Sequence, residues 1–156
     1  MSNTTNSVTP VRDTWIEFLE PIPWAFAGHY TFKYATSEER GIQLFTNYAD
    51  RHLGGLFGRP IPWVAVPELT HAGRVHFHAL FVGVGHDRAH RVEAERHVLE
   101  RRWRYGRRLV KKVYYPLGAL GYMLKLAEED DRQPFMSRAL REQLHLNQLN
   151  PLVRVN

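Results

Sequence analysis

Short runs of alternating apolar and polar residues predict strands, and longer segments whose apolar residues recur every three or four positions predict helices between them. Strands are expected at residues 24–34, 63–70, 74–83 and 107–114. Helices are expected at residues 13–20, 37–51, 91–103, 116–127 and 135–149, the second of them ended by Gly54 and Gly55. This order of elements predicts an α+β domain with a central antiparallel β-sheet whose helices cover one face.

Length and composition narrow the possible classes of protein. The 156 residues suit a single domain, which we expect over residues 13–150 between flexible tails at residues 1–12 and 151–156. There is no cysteine, which excludes a disulfide framework and any thiolate metal site and fits the reducing cytoplasm. No apolar run is long enough to span a membrane, and the polar N-terminus lacks a signal-peptide core.

A predicted strand with two histidines is the centre of the expected chemistry. Its sequence, RVHFHALFVG at residues 74–83, puts His76 and His78 on one face while Phe77 points to the other. Neutral imidazoles are strong ligands for divalent metals. Two imidazoles on a rigid strand therefore predict half of a metal site. The alternative is a pair of half-buried structural histidines.

The turn before this strand predicts a third ligand. Residues 71–73 can form a three-residue hairpin loop that ends in a glycine with a left-handed backbone. Such a loop would bring Glu68 directly opposite His76 on the same face of the sheet. The sequence thus predicts a metal-binding cluster of Glu68, His76 and His78.

The predicted helix from Pro116 carries a second chemical motif. Tyr122 and Lys125 are three residues apart and so share one side of the helix. Gly118 and Gly121 lie near that side, and each glycine costs about 1 kcal/mol against alanine, which predicts a close approach of sheet or ligand. The alternative is a tyrosine packed on a neighbour beside a solvated lysine. The opposite, core-facing stripe is expected to contain Leu117, Leu120, Leu124 and Ala127.

The distribution of charge favours an acidic partner. The net charge is +5, and residues 88–112 alone hold ten Lys or Arg against three Glu, a local charge of +7. Guanidinium groups neutralise phosphates, and aromatic rings such as those of Trp103 and Tyr105 stack on unpaired bases. The alternative is a solvated, charged helix face. The residues predicted to bind single-stranded DNA are Arg101, Arg102, Arg104, Arg107, Arg108, Lys111 and Lys112.

Taken in order, HFHALF at residues 76–81 and GYMLKL at residues 121–126 resemble motifs of the HUH endonucleases, in particular those of rolling-circle replication initiators (Rep proteins). The resemblance spans about residues 24–129, and residues 30–32 match the first-strand motif of that superfamily. It implies a ferredoxin-like or RRM-like sheet, the HUH endonuclease fold. The implied roles are a divalent metal, Mn²⁺ or Mg²⁺, on Glu68, His76 and His78, and catalysis by Tyr122 and Lys125.

The implied activity is sequence- or structure-specific nicking and joining of single-stranded DNA at a replication origin, through a 5′-phosphotyrosine. Such an enzyme initiates rolling-circle replication of a plasmid or virus. A separate host helicase is expected, since the sequence has no GxxxxGK[ST] motif.

Three alternatives remain open. The first is a single-tyrosine HUH transposase-like nuclease, although those typically carry Gln in place of Lys125. The second is a non-haem iron oxygenase, because two histidines and a carboxylate also hold iron. The third is a non-catalytic, RRM-like nucleic-acid-binding domain. No role is assigned from the sequence to His29, His71, His86, Tyr114 or Tyr115.

Overall fold

The computed structural model of the chain describes residues 11–83 and 89–149. The predicted tails lie outside the described residues, apart from residues 11 and 12, which form the first turn of a helix. In chain order the elements are α1 (Val11–Leu19), β1 (Trp24–Thr31), α2 (Glu38–Thr46), a π-helical segment (Asn47–Leu53), α3 (Gly54–Phe57), β2 (Trp63–Leu69), β3 (Val75–Val82), α4 (Ala89–Arg101), β4 (Arg108–Lys112), α5 (Pro116–Glu129), β5 (Phe135–Met136) and α6 (Arg138–Leu149). Among these described elements, none is a helix long and apolar enough to cross a membrane.

The sheet has the strand order β4-β1-β3-β2-β5, and every neighbouring pair is antiparallel. The first four strands and their helices follow the β-α-β-β-α-β pattern of ferredoxin-like domains. The predicted fold class, an α+β domain with an antiparallel sheet compatible with the HUH endonuclease fold, is therefore confirmed. Strand β5 was not predicted. Phe135 forms it because its ring packs on Trp63 and Phe77, at 5.5 Å between ring centroids in each case.

Helices cover both faces of the sheet, so the prediction that they cover only one is wrong. Successive strand residues point to opposite faces, and both faces are apolar over most of their area. One core contains Phe77 and Phe81 of β3 and is covered by α2, the π-helical segment and α4. The other contains Leu80 of β3 and is covered by α1, α5 and α6. The sequence motifs on α5 therefore lie on the second face, over the centre of the sheet.

The second helix continues beyond its predicted end. Ser37 caps α2, its Oγ accepting a hydrogen bond from the Arg40 amide at 3.2 Å. The chain then runs through the π-helical segment and α3, and Gly58, with φ of 68°, ends the helical path. The predicted end at Gly54 and Gly55 is wrong because neither residue adopts the left-handed conformation that stops a helix.

The buried stripe of α5 differs from the predicted one at its first position. Leu120, Met123, Leu124 and Ala127 are buried, whereas Leu117 is 37% exposed. At 100° per residue, Met123 lies inside the buried arc and Leu117 lies at its edge. The stripe still turns Tyr122 away from the core, as the sequence predicted.

Candidate active site

The hairpin between β2 and β3 has the predicted geometry. The Thr70 amide donates to the Arg74 carbonyl at 2.9 Å, and Gly73 closes the loop with φ of 71°. A three-residue loop of this kind fixes the register of both strands. As a result, Glu68 lies directly opposite His76 on one face of the sheet.

Glu68 bridges the two histidines of β3. Its Oε2 lies 2.8 Å from Nε2 of His76 and 2.8 Å from Nε2 of His78, so each imidazole donates to the same carboxylate oxygen. The side chains are mostly buried, with 11%, 18% and 25% exposed for His76, His78 and Glu68. Three groups that commonly bind metals thus converge on one point at the open end of the sheet.

His29 of β1 joins this group, although the sequence patterns assigned it no role. The pairing of β1 with β3 puts His29 opposite His78, with their rings stacked at 4.6 Å between centroids. Ligand nitrogens of His29, His76 and His78 lie within 4.8 Å of one another. Among the described residues, Nε2 of His29 is buried and has no hydrogen-bond partner. The four residues Glu68, His29, His76 and His78 are called the histidine cluster below.

Burial sets the protonation states in the cluster. Desolvation, followed by the neighbouring histidines, lowers the pKa of His29 to about 4. Desolvation also lowers the pKa of His78, against the opposing effect of Glu68. Burial alone would raise the pKa of Glu68, but hydrogen bonds and charge from His76 and His78 lower it on balance. Neutral imidazoles beside an ionised carboxylate are the protonation states that bind a divalent cation.

Tyr122 lies beside the histidine cluster. Its ring is 6.0 Å from the ring of His78, centroid to centroid, and the two rings are nearly perpendicular, at 79°. The side chain is 60% exposed. The buried stripe of α5 packs on β2, β1 and β3 and so fixes where the tyrosine emerges. The arrangement presents a solvent-accessible phenol at the edge of a group of metal-ligand atoms.

Lys125 points along the same helix to an acid of its own. Its Nζ lies 3.5 Å from Oε1 of Glu129, and both side chains are more than half exposed. Within the part of the chain that is described, no hydrogen bond joins Lys125 to Tyr122. An exposed pair of this kind contributes about 0.3–0.5 kcal/mol, so Lys125 can leave it at little cost.

The predicted close approach at Gly118 is made by Tyr115, and neither the sheet nor a ligand is involved. A Cβ on Gly118 would overlap the Tyr115 ring, which is 67% exposed. At Gly121 the nearest group is Arg12, whose Nη2 would lie 3.5 Å from a Cβ. Tyr114 is 85% exposed.

The seven basic residues predicted to bind DNA are all exposed, but they do not form one surface. Lys111 pairs with Ala27 on the face of the histidine cluster, whereas Arg108 pairs with Tyr30 on the opposite face. The full set is Arg101, Arg102, Arg104, Arg107, Arg108, Lys111 and Lys112. Of the remaining histidines, His71 is exposed in the hairpin loop, and His86 lies outside the described residues.

Comparison with known proteins identifies one family. The family model described as replication-associated protein ORF2 matches residues 27–131, which include the histidine cluster, Tyr122 and Lys125. Neither the curated proteins nor the solved structures contain a significant match to the chain.

Proposed function

The chain belongs to the replication-associated protein ORF2 family, which supports a role in starting rolling-circle replication, and we propose that it does so by nicking and joining single-stranded DNA. One observation carries the proposal. The Tyr122 phenol ring lies 6.0 Å from the ring of His78, whose Nε2 shares a carboxylate oxygen with His76. An exposed nucleophile beside a cluster of metal-ligand atoms is what phosphoryl transfer to tyrosine requires.

The histidine cluster would hold the metal. Glu68 and the three imidazoles offer one carboxylate oxygen and three nitrogens, a donor set that fits Mn²⁺, with Mg²⁺ as the harder alternative. The buried, unpartnered Nε2 of His29 is consistent with a ligand role for that residue. The chemistry that such a cation supplies is positive charge beside the scissile phosphate.

Tyr122 performs the covalent step. Its oxygen loses the phenolic proton and attacks the phosphorus, the bond from phosphorus to the 3′ oxygen breaks, and that oxygen takes up a proton. The products are a 5′-phosphotyrosine and a free 3′-hydroxyl. Attack by a 3′-hydroxyl on the phosphotyrosine re-forms the phosphodiester and releases Tyr122, so joining needs no other energy source.

Lys125 assists by charge. A phenol has an unperturbed pKa near 10, so a nearby ammonium favours the phenolate. Lys125 lies one helical turn from Tyr122, and its exposed pair with Glu129 is weak enough to be exchanged for a contact with the nucleophile. We assign the nuclease domain to residues 13–150, a cytoplasmic location, and a separate helicase to open the duplex.

A covalent adduct tests the proposal. The protein is mixed with Mn²⁺ and a library of end-labelled single strands, and a denaturing gel is examined for a labelled protein band. We expect the band with the wild type and with Tyr114→Phe, which removes an exposed hydroxyl elsewhere, and no band with Tyr122→Phe. Metal-independent DNA binding without any adduct in the wild type would instead favour the non-catalytic RRM-like alternative.

A further inference from the structure

A cationic cavity lies on the face of the sheet opposite the histidine cluster. Its volume is about 530 Å³, and it opens between the π-helical segment and the loop from α4 to β4. Arg51 and His52 line one side, and Arg102 and Arg104 line the other. Its floor belongs to the core that contains Phe77, and the histidine cluster projects from the other face.

The arginines of this cavity have no protein partners. Among the described residues, none of the guanidinium groups of Arg51, Arg102 and Arg104 forms an ion pair or a hydrogen bond. Elsewhere in the chain arginines are paired: Arg96 contacts two glutamates, and Arg138 contacts one. Three unpaired cations around one cavity repel each other, so an anion between them would lower their energy.

The floor of the cavity is rigid and already satisfied. The Tyr48 hydroxyl donates to the Leu99 carbonyl, and its ring packs on Trp103 at 5.2 Å between centroids. The Tyr105 ring packs on the same tryptophan at 5.0 Å. π-Helical turns are uncommon and frequently occur at functional sites, and here the π-helical segment supplies Tyr48 and two cationic side chains of the wall.

We propose that this cavity binds phosphate groups of a second stretch of DNA, separate from the strand held at Tyr122. Arg108 and Lys112 lie on the same face of β4, so the positive charge extends beyond the cavity and matches an extended polyanion better than a single small anion. The proposal rests on the proposed function for the identity of the ligand as DNA. It reassigns Arg102 and Arg104 from the nicking site to a separate contact.

The test measures DNA binding without catalysis. Fluorescence anisotropy is recorded for the full chain carrying Tyr122→Phe, in EDTA, with strands of about 30 nucleotides, longer than the 4–16 nucleotides that a single small fold typically covers. Each lost phosphate contact should reduce the salt slope by about 0.7 for single strands, or 0.9 for a duplex. For the combined variant Arg51→Ala, Arg102→Ala and Arg104→Ala we expect a slope lower by about 2 and about 10- to 100-fold weaker binding near 0.1 M salt.

Two matched variants serve as controls. Replacing Arg40, Arg138 and Arg141 by alanine removes the same charge from arginines that already have protein partners. Replacing the three cavity arginines by lysine keeps the charge and should retain the slope. A duplex of the same length, run in parallel, shows whether the second stretch is single or double stranded, and either result supports the proposal.

Three results would overturn the proposal. The first is an unchanged salt slope in the cavity variant. The second is an equal loss in the control variant, which would reduce the effect to net charge. The third is competition by deoxynucleoside triphosphate that depends on the cavity arginines while strand binding does not. A wild type that forms no covalent adduct but keeps this slope dependence would refute the nicking function alone.

Discussion

Removing one ligand should abolish metal-dependent stabilisation of the fold. His78→Ala deletes the imidazole that contacts Glu68 at 2.8 Å and stacks on His29, and it leaves the other three donors in place. A ligand that binds only the native state stabilises it by RT ln(1 + [L]/Kd), about 2.7 kcal/mol at a concentration of 100 Kd. For a chain of this size that corresponds to a rise in Tm of about 5–11 °C.

The loss can be worked out for the variant. Removing a residue that only supports a metal ligand costs about 10- to 100-fold in affinity, so losing a ligand itself should cost at least as much. At the same Mn²⁺ concentration, a 100-fold weaker site gains only RT ln 2, about 0.4 kcal/mol, or a rise in Tm of about 1–2 °C.

The assay is thermal unfolding followed by circular dichroism with and without Mn²⁺. His71→Ala, in the exposed hairpin loop, is the control and should keep the full wild-type rise. An equal metal-induced rise in wild type and His78→Ala would refute the placement of the metal at this cluster.

Three further predictions concern the fold and the cluster. Glu68→Gln keeps an acceptor oxygen but loses the negative charge, so the Mn²⁺-induced rise in Tm should fall well below the wild-type value, and a wild-type rise would contradict the ligand role. Leu120→Ala should lower the free energy of unfolding by about 2–5 kcal/mol, and Leu117→Ala by about 1 kcal/mol, measured by urea denaturation; equal losses would contradict the burial pattern. Gly106→Ala, whose Cβ would overlap a β1 carbonyl, should destabilise by about 1–3 kcal/mol, whereas Gly55→Ala, with open space around it, should stabilise by up to about 1 kcal/mol; the reverse order would be contradictory.

Local rules in the sequence were sufficient for the part of the site built on one hairpin. A three-residue loop with a left-handed glycine fixes the strand register by itself, so Glu68 could be placed opposite His76 without knowledge of the rest of the fold. The helical period likewise placed Tyr122 away from the core. Its position beside His78 depends on how α5 crosses the sheet, which the sequence pattern does not specify.

The contacts that were missed are long-range. His29 reaches the cluster because β1 pairs with β3, 49 residues further along the chain, and the register of such a pair is set by the packed core. Phe135 forms an edge strand for the same reason, since its aromatic contacts lie on distant strands. The ferredoxin-like strand order, had it been combined with the alternation of β1, would have put His29 on the face of His76.

The cavity on the opposite face was also not foreseen. The sequence grouped Arg102 and Arg104 with the basic residues of β4 because they are close along the chain. In the fold they meet Arg51, from a helical segment 51 residues earlier than Arg102, and together they line a separate surface. Proximity along the chain is a poor guide to which charges share a ligand.

The identity of the residue that carries DNA tests the central claim most directly. The wild-type protein is reacted with Mn²⁺ and a cleaved single strand, digested with protease and nuclease, and analysed by mass spectrometry. The account predicts a nucleotide phosphate on Tyr122 and on no other tyrosine. A nucleotide on Tyr114 or Tyr115, or no modified peptide when cleavage has occurred, would contradict it.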